Sequence, residues 1–266
     1  ILSAGAMILM AILLALYWGG EQKSAFWSRT DNKIKILQIQ ANIGNLERRY
    51  AERGVGFQQT ILDDYSQLTR QGLEKHPDSE LIVWPESALP DMLNEWAQER
   101  KYPKQFLEFV LSIKKPIFTG AYSKDPVGTE PKRRDYNAVF LVNEAAQVLG
   151  SPYHKSKLLI FGEYLPLVDT FPILAKINPG GSGFGRGPGP SVMSFGDLKI
   201  GPQICYESLY PEFAAESAHL GADIMINVTN DSWFGPRSEP YQHLYMTLAR
   251  GLENRRPLIR NTNTGI

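Results

Sequence analysis

The segment Gly201-Pro-Gln-Ile-Cys-Tyr-Glu-Ser208 places the only cysteine of this 266-residue chain at the end of an apolar run, directly before a tyrosine and a carboxylate. The run Leu198–Ile204 predicts a strand, so the thiol is expected at a strand end. Taken alone, Cys205 fits the description of most free cysteines, which are small buried hydrophobic residues. A lone thiol at a strand end is also a candidate nucleophile, and the rest of the sequence favours that interpretation.

Two further apolar runs end in charged residues rather than in a turn. Leu81-Ile-Val-Trp-Pro-Glu86 delivers a glutamate, and the segment Tyr153–Glu163 delivers a lysine, Lys155, and then a second glutamate. A thiol has a reference pKa of about 8.5 and is weakly ionised at neutral pH. A carboxylate that accepts its proton and an ammonium that stabilises the thiolate supply what it lacks. Glu, Lys and Cys together suffice for acyl transfer.

Predicted strands and helices alternate through most of the chain. Strands are predicted at residues 34–40, 81–84, 116–121, 136–142, 147–153, 198–204, 224–228 and 257–260, and helices at 50–73, 105–113, 210–220 and 242–253. This alternation, with reactive residues at strand ends, predicts an α/β layered domain whose site lies at one edge of its sheets.

Four separated motifs resemble one family in their order along the chain. They are Trp84-Pro-Glu-Ser87, Phe161-Gly-Glu-Tyr164, Ile204-Cys-Tyr-Glu207 and Thr229-Asn-Asp-Ser-Trp-Phe-Gly235. These motifs resemble the nitrilase (carbon-nitrogen hydrolase) superfamily and, within it, the apolipoprotein N-acyltransferases. The resemblance implies a four-layer α-β-β-α nitrilase-like sandwich in which Glu86, Lys155 and Cys205 converge as a catalytic triad.

The resemblance also implies a mechanism and its partners. Cys205 would attack an ester of a phospholipid acyl donor and form an acyl thioester, while Glu86 acts as general base and then general acid. Lys155 and the backbone N–H of Tyr206 would stabilise the oxyanion. The acceptor would be the N-terminal amino group of S-diacylglyceryl-cysteine in an apolipoprotein. The protein would then lie in a bacterial cytoplasmic (inner) membrane, with its catalytic domain on the periplasmic side.

Supporting roles are expected for the charged and aromatic residues beside the triad. Glu163 would orient Lys155, and Tyr206 would pack beside the nucleophile. Glu207 is expected to position substrate or support the triad, with an N-cap or salt-bridge role as the alternative. Lys157 would share a strand face with Lys155, but the family lysine stands eight residues before the Phe-Gly-Glu glutamate, which selects Lys155.

The first segment of the chain is uncharged and apolar through Trp18. Residues 1–20 are predicted to form a transmembrane helix, with a signal peptide or a buried core helix as alternatives. A polar linker is expected at residues 21–32, followed by the catalytic domain at 33–266. We expect the chain to be a fragment that begins inside a membrane domain and stops before the C-terminal end of the catalytic domain.

A more apolar loop follows the second glutamate and is the candidate for a lipid-access arm. The residues expected to form it include Tyr164, Leu165, Leu167 and Phe171, which are more apolar than a soluble loop normally exposes. The alternative is a loop packed on the domain itself.

The composition of the chain and the spacing of its histidines limit the function classes that remain. A formal net charge of zero gives no indication of nucleic-acid binding, and the four histidines lack metal-ligand spacing, so neither a metal nor a cofactor is predicted. A Cys-His dyad with His243 remains an alternative to the triad. Three functions stay open: a membrane acyltransferase, a nitrilase-type amidase acting on a small amide, and a catalytically silent, membrane-tethered binding module. The apolar N-terminal segment favours the first over the second, and the intact triad disfavours the third.

Overall fold

The computed structural model describes residues 2–27, 33–44, 51, 56–125, 134–165, 183–233, 235 and 237–266. The chain divides into two compact units, residues 1–35 and residues 36–266.

The first unit is built on one long helix, α1, at Leu2–Trp27. Its window Ala4–Glu21 has a mean hydropathy of 1.6 and no buried residue, so by length and composition the helix could cross a bilayer. The helix extends past residue 20, so the first part of the predicted 21–32 linker is helical, and residues 28–32 lie outside the described residues.

Two sheets form the centre of the second unit. Their strands are β1 (Ile36–Gln38), β2 (Leu81–Val83), β3 (Ile117–Lys124), β4 (Asp135–Val142), β5 (Tyr153–His154), β6 (Met193–Phe195), β7 (Leu198–Ile204), β8 (Ile224–Thr229) and β9 (Leu258–Thr262). The first sheet has the order β1-β2-β3-β4-β5, with β1 to β3 parallel and the later pairs antiparallel. The second has the order β6-β7-β8-β9, in which β7, β8 and β9 are parallel.

Helices cover the outer face of each sheet. Helices α2 (Gln58–Lys75) and α3 (Lys101–Ile113) share the apolar core of the first sheet, and α4 (Pro211–His219) and α5 (Ser238–Asn254) pack on the second. The sheets meet where the buried Asn261 side chain in β9 donates hydrogen bonds of 3.3 Å and 2.8 Å to the carbonyls of Ile39 and Val83. The expected four-layer α-β-β-α sandwich is confirmed.

Trp84, directly after β2, is the central side chain of the first core. Its fully buried ring lies 5.1 Å from Tyr65, 5.3 Å from Phe106 and 5.9 Å from Phe109, while its Nε1 donates to Thr69 at 2.9 Å. A buried indole needs such a partner for its N–H. These contacts hold the chain at the point where it leaves β2 toward Glu86.

Several predicted boundaries differ from the structure. Helix α3 begins at Lys101 rather than at residue 105, because Pro103 is tolerated in a first helical turn. The predicted strand at 147–153 is wrong over most of its length. Only an isolated bridge at Val148 and the short β5 remain, because the chain turns at Gly150, whose φ is +65°.

Gly120 in β3 is closely packed against the turn that carries Glu86. Its N–H donates to the Pro85 carbonyl at 3.2 Å, and a Cβ at this position would lie 2.4 Å from Ser87 N and 2.6 Å from Pro85 O. Backbone atoms at that distance can yield only if the turn moves.

We predict that Gly120→Ala lowers the free energy of unfolding by about 1–3 kcal/mol, because overpacking forces the backbone of residues 85–87 to shift. Urea unfolding of the whole chain in detergent, followed by tryptophan fluorescence, measures this change. The matched control is Gly20→Ala, since a Cβ there meets nothing within 4 Å. An unchanged transition for Gly120→Ala would show that the turn is free to move.

Candidate active site

Three predicted residues lie just beyond the ends of strands β2, β5 and β7. Glu86 follows β2, Lys155 follows β5 and Cys205 follows β7, and all three are buried. The Lys155 Nζ donates to Glu86 Oε1 at 3.2 Å and to Glu163 Oε1 at 2.9 Å. The charges of Lys155 and Glu86 both act on the Cys205 thiol. The structure therefore brings the four residues expected from the sequence into one electrostatic site.

Cys205 stands in a left-handed conformation with φ of 54°, at the start of a 3-10 turn formed by Cys205–Leu209. A residue with a side chain pays an energetic cost in this region, so the surrounding structure must hold it there. The Asn227 Nδ2 donates to the Cys205 carbonyl at 2.9 Å, and the Ser208 hydroxyl donates to the same oxygen at 3.2 Å. These bonds fix the turn that presents the thiol.

The thiol is protonated at neutral pH in this environment. Burial raises the pKa of Cys205 to about 12, the Glu86 carboxylate adds to the rise, and the Lys155 ammonium opposes it. A nucleophilic thiol of this kind has to lose its proton to a base during the reaction. Glu86 is the carboxylate whose charge acts most strongly on it.

Lys155 is charged although its side chain is only 2% exposed. Burial alone would lower the pKa of Lys155, but attraction to Glu163 and then to Glu86 outweighs burial and holds that pKa well above its usual value. Burial likewise acts to raise the pKa of Glu163, and the Lys155 ammonium reverses this, so the pKa of Glu163 lies below its usual value. A charged donor is therefore ready beside the thiol.

Glu163 is itself held by the turn in which it lies. Its Oε2 accepts the backbone N–H of Leu159 at 2.9 Å, and its own N–H donates to the Leu159 carbonyl at 2.8 Å. Within this turn Phe161 has a φ of 67° and an exposed side chain. The turn holds Glu163 against Lys155, the residue it was predicted to orient.

Glu207 joins the segment that carries Lys155 to the turn that carries Cys205. Its fully buried carboxylate accepts hydrogen bonds from Tyr153 OH at 2.8 Å, Ser156 N at 2.7 Å, Lys157 N at 3.1 Å and Ile204 N at 2.8 Å. The bond from Ile204 is an N-cap type of contact, the alternative role considered for Glu207, and no ion pair of Glu207 forms within the described residues. Burial raises the pKa of Glu207, and these four donors act in the opposite direction.

Tyr206 and Lys157 lie around the site without joining the carboxylates. The Tyr206 hydroxyl donates to the Leu158 carbonyl, and its ring lies 5.7 Å from Lys155 Nζ. The Lys157 Nζ lies 5.0 Å over the ring of Tyr210. The expectation that Lys157 shares a strand face with Lys155 is wrong, because β5 ends at His154 and alternation no longer applies.

Asn137, the third residue of strand β4, was not predicted as a site residue. Its Nδ2 donates to Glu86 Oε1 at 2.7 Å and to Glu163 Oε1 at 3.1 Å. The available signal was an amide within an otherwise apolar strand, since a buried polar side chain needs partners. Nothing in the sequence showed which partners these would be.

The motif that begins at Thr229, at the end of β8, lies beside the site. Thr229 acts to lower the pKa of the Cys205 thiol, and its hydroxyl donates to Asp231 Oδ1 at 3.3 Å. Asp231 also binds His243 Nδ1 at 3.0 Å and Arg260 at 2.5 Å. The His243 ring pairs with Asp231, and this contact gives no support to a Cys-His dyad. Asp231, His243 and Glu239 bring potential metal ligands within 4.8 Å of one another, but the Arg260 guanidinium already neutralises Asp231.

Only part of the expected lipid-access arm is described. Tyr164 and Leu165 are partly buried, and the Arg186 guanidinium lies 4.6 Å from the centre of the Tyr164 ring. Leu167 and Phe171 lie outside the described residues.

Comparison with known proteins gives consistent results. The carbon-nitrogen hydrolase family model matches residues 25–266. A protein of Bdellovibrio bacteriovorus named apolipoprotein N-acyltransferase is 46% identical over the whole chain, which covers 49% of that protein. A protein of the same name from Geobacter metallireducens is 31% identical over 98% of the chain and 47% of its own length. The chain thus spans about half the length of these curated relatives.

Solved structures share the fold at low sequence identity. The branch 10 nitrilase-superfamily member Nit3 of Saccharomyces cerevisiae superposes with a TM-score of 0.58 and 16% identity, over 86% of this chain and 75% of that one. A carbon-nitrogen hydrolase of Helicobacter pylori G27 gives 0.55 and 18%, over 77% and 68%. An amidase of Nesterenkonia gives 0.51 and 19%, over 86% and 74%.

We predict that Glu86→Gln lowers the pKa of the Cys205 thiol and that Lys155→Met raises it. The first change removes a negative charge that favours the neutral thiol, and the second removes a positive charge that favours the thiolate. The rate of iodoacetamide alkylation as a function of pH measures both. Lys157→Met is the matched control, because that ammonium lies over Tyr210, and it should leave the profile unchanged. Equal shifts for the two lysine variants would contradict the electrostatic assignment.

We predict that Glu207→Gln lowers the free energy of unfolding by about 2–4 kcal/mol. The new amide keeps one oxygen and replaces the other with an NH2 donor, so the buried N–H groups bonded to that second oxygen lose their acceptor and face a donor. Chemical denaturation measures the loss. The control Glu253→Gln alters a half-exposed carboxylate paired with Arg250, and it should cost less than about 1 kcal/mol. Equal losses in the two variants would show that Glu207 does not tie the two segments together.

Proposed function

The chain belongs to the carbon-nitrogen hydrolase family, and on that basis we propose that it carries the thioester chemistry of an apolipoprotein N-acyltransferase. One observation carries the proposal: a buried ammonium, Lys155, hydrogen-bonded to both Glu86 and Glu163 beside a thiol held at a strand end. The relatives of this name, 46% and 31% identical to this chain, support the acyltransferase over other reactions of such a site.

The first half-reaction transfers an acyl group to the enzyme. Glu86 accepts the proton of the Cys205 thiol as the sulfur attacks the ester carbonyl of a phospholipid, and a tetrahedral oxyanion forms. The Lys155 ammonium and the backbone N–H of Tyr206 donate to that oxyanion. When the C–O bond breaks, Glu86 returns the proton to the leaving alkoxide, and a lysophospholipid departs.

The second half-reaction transfers the acyl group to an amine. Glu86 accepts a proton from the N-terminal amino group of S-diacylglyceryl-cysteine as that nitrogen attacks the thioester. The C–S bond breaks, the sulfur leaves and regains the proton, and an amide remains on the lipoprotein. The same carboxylate therefore serves as base and acid in both halves, and no cofactor enters the scheme.

Two features of the chain suit lipid substrates. Helix α1 is long and apolar enough to cross a bilayer, which agrees with a membrane-associated protein. Ile160 and Phe161 are 55% and 66% exposed in the turn that carries Glu163, and apolar groups this exposed are typical of surfaces that meet lipid or a partner. We propose the inner membrane as its location, with the catalytic unit on the periplasmic side.

We predict that incubating the full-length membrane protein with phospholipid adds one fatty-acyl mass to it. Intact mass spectrometry detects the adduct, which hydroxylamine should release because it is a thioester. Cys205→Ala should show no adduct under the same conditions.

Two results would contradict the proposal. A folded wild-type protein whose thiol is alkylatable but which gains no acyl mass would refute the lipid donor and favour the alternative, a nitrilase-type amidase acting on a small amide. Release of free fatty acid without transfer to a diacylglyceryl-cysteine peptide would place the chain among hydrolases.

A further inference from the structure

Asn137 occupies a central place among the reactive groups. It lies in β4 opposite Tyr122 of β3, is 3% exposed, and accepts the backbone N–H of Lys155 on its own carbonyl at 2.9 Å. Its backbone therefore fixes the start of the Lys155 segment, and its side chain points at the carboxylates that Lys155 binds. One residue contacts three of the four groups in the site.

The Asn137 amide and the Lys155 ammonium bind the same two oxygens. The Nδ2 lies 2.7 Å from Glu86 Oε1 and 3.1 Å from Glu163 Oε1, and the Lys155 Nζ lies 3.2 Å and 2.9 Å from them. Two donors and two acceptors thus form a closed ring of four hydrogen bonds. In this ring each carboxylate is held in place by one charged and one neutral donor.

The orientation of the amide follows from its surroundings. A reversed amide would set its oxygen against two carboxylate oxygens, which is repulsive, so the NH2 group must face them. The Asn137 Oδ1 is buried without a hydrogen-bond partner in the described part of the chain. The residue therefore leaves one polar atom unsatisfied in order to donate twice to the carboxylates, which is not expected of a residue that only fills space.

We propose that Asn137 is a positioning residue that holds Glu86 by its Oε1 and leaves Oε2 to exchange the proton with the thiol and the substrate. This inference deepens the proposed function, since it assumes that Glu86 is the base of an acyl transfer through Cys205. Within the described residues, the hydrogen bonds accepted by Glu86 from side chains end on Oε1. Without the amide, the carboxylate retains the single bond from Lys155 and can rotate about it.

Acylation of Cys205 by a p-nitrophenyl ester of a short fatty acid tests this role in the whole chain. The burst of nitrophenolate gives the acylation rate constant at saturating ester and, separately, the ester concentration at half saturation. Two variants separate the effect of the Asn137 hydrogen-bond donor from the effect of its side-chain shape. Asn137→Asp keeps the shape but replaces the donor with a third carboxylate, whereas Asn137→Leu removes the donor and puts a somewhat larger branched apolar side chain in its place.

A positioning role predicts a definite order of acylation rate constants among the variants. Asn137→Leu should reduce the acylation rate constant by about 10-fold and Asn137→Asp by about 100-fold, with half-saturating ester changed less than about twofold. The matched controls are Asn261→Leu and Asn261→Asp, because Asn261 is equally buried and donates twice, but to backbone carbonyls. They should leave the rate constant within about twofold of wild type in protein that stays folded.

Other results would overturn the inference. If Asn137 only fills space, the isosteric Asn137→Asp should resemble wild type and Asn137→Leu should be the slower variant. Equal rates for all Asn137 variants and wild type would also overturn it. If either variant fails to fold, as judged by thermal unfolding, Asn137→Ser and Asn137→Ala replace the pair. Serine keeps one donor and should be the faster by about 10-fold, and equal rates would refute the role.

The ester probe separates this inference from the proposed function. If the ester acylates Cys205 but phospholipid does not, the lipid donor is wrong, while the order of the Asn137 variants still tests the positioning role. If phospholipid acylates the wild type and the variants keep its rate, the positioning role is wrong and the function stands.

Discussion

The buried ammonium of Lys155 is the constraint on which the rest of the site depends. An unpaired charge in a protein interior is strongly unfavourable, so a lysine that is 1% exposed requires anions at fixed places. Glu86 and Glu163 supply them, and each is then itself a buried charge that depends on the lysine. Removing Lys155 leaves two carboxylates without their counter-charge, and removing either carboxylate leaves Lys155 with a single anion. This mutual dependence holds the pKa of Lys155 above its usual value and the pKa of Glu163 below its usual value, beside a thiol whose pKa is raised by burial.

Three residues beside this charge cluster have a strained, left-handed backbone conformation. Ser87, Phe161 and Cys205 all have φ between 49° and 67°, and they stand next to Glu86, near Glu163 and at the nucleophile. Left-handed backbone at residues with side chains persists only where surrounding contacts fix it. Here those contacts are the Trp84 core, the Glu163 turn and the amides around Cys205. The packed sheets and helices thus hold the three strained turns so that Glu86, Glu163 and Cys205 lie in one site.

Glu207 links the two sheets beside the site. Its carboxylate gathers N–H groups from the chain after β5 in the first sheet and from the end of β7 in the second. The position of Lys155 relative to Cys205 is therefore set by one buried acceptor rather than by strand pairing. A carboxylate in this role acts through geometry and need not touch a substrate.

The sequence by itself determined the layered α/β fold and the apolar first helix and offered Glu86, Lys155 and Cys205 as candidate reactive residues, because hydrophobic periodicity and motif spacing are local properties of the chain. The choice of Lys155 over Lys157 came from the resemblance to the family and not from the residues alone. Tertiary structure alone decided that Asn137 joins two carboxylates, that Glu207 ties two sheets and that His243 belongs to Asp231. It also reduced the expected 147–153 strand to a bridge and the two residues of β5. Each of these depends on which side chains meet across strands far apart in the chain, and a buried polar group reveals its need for a partner without revealing the partner.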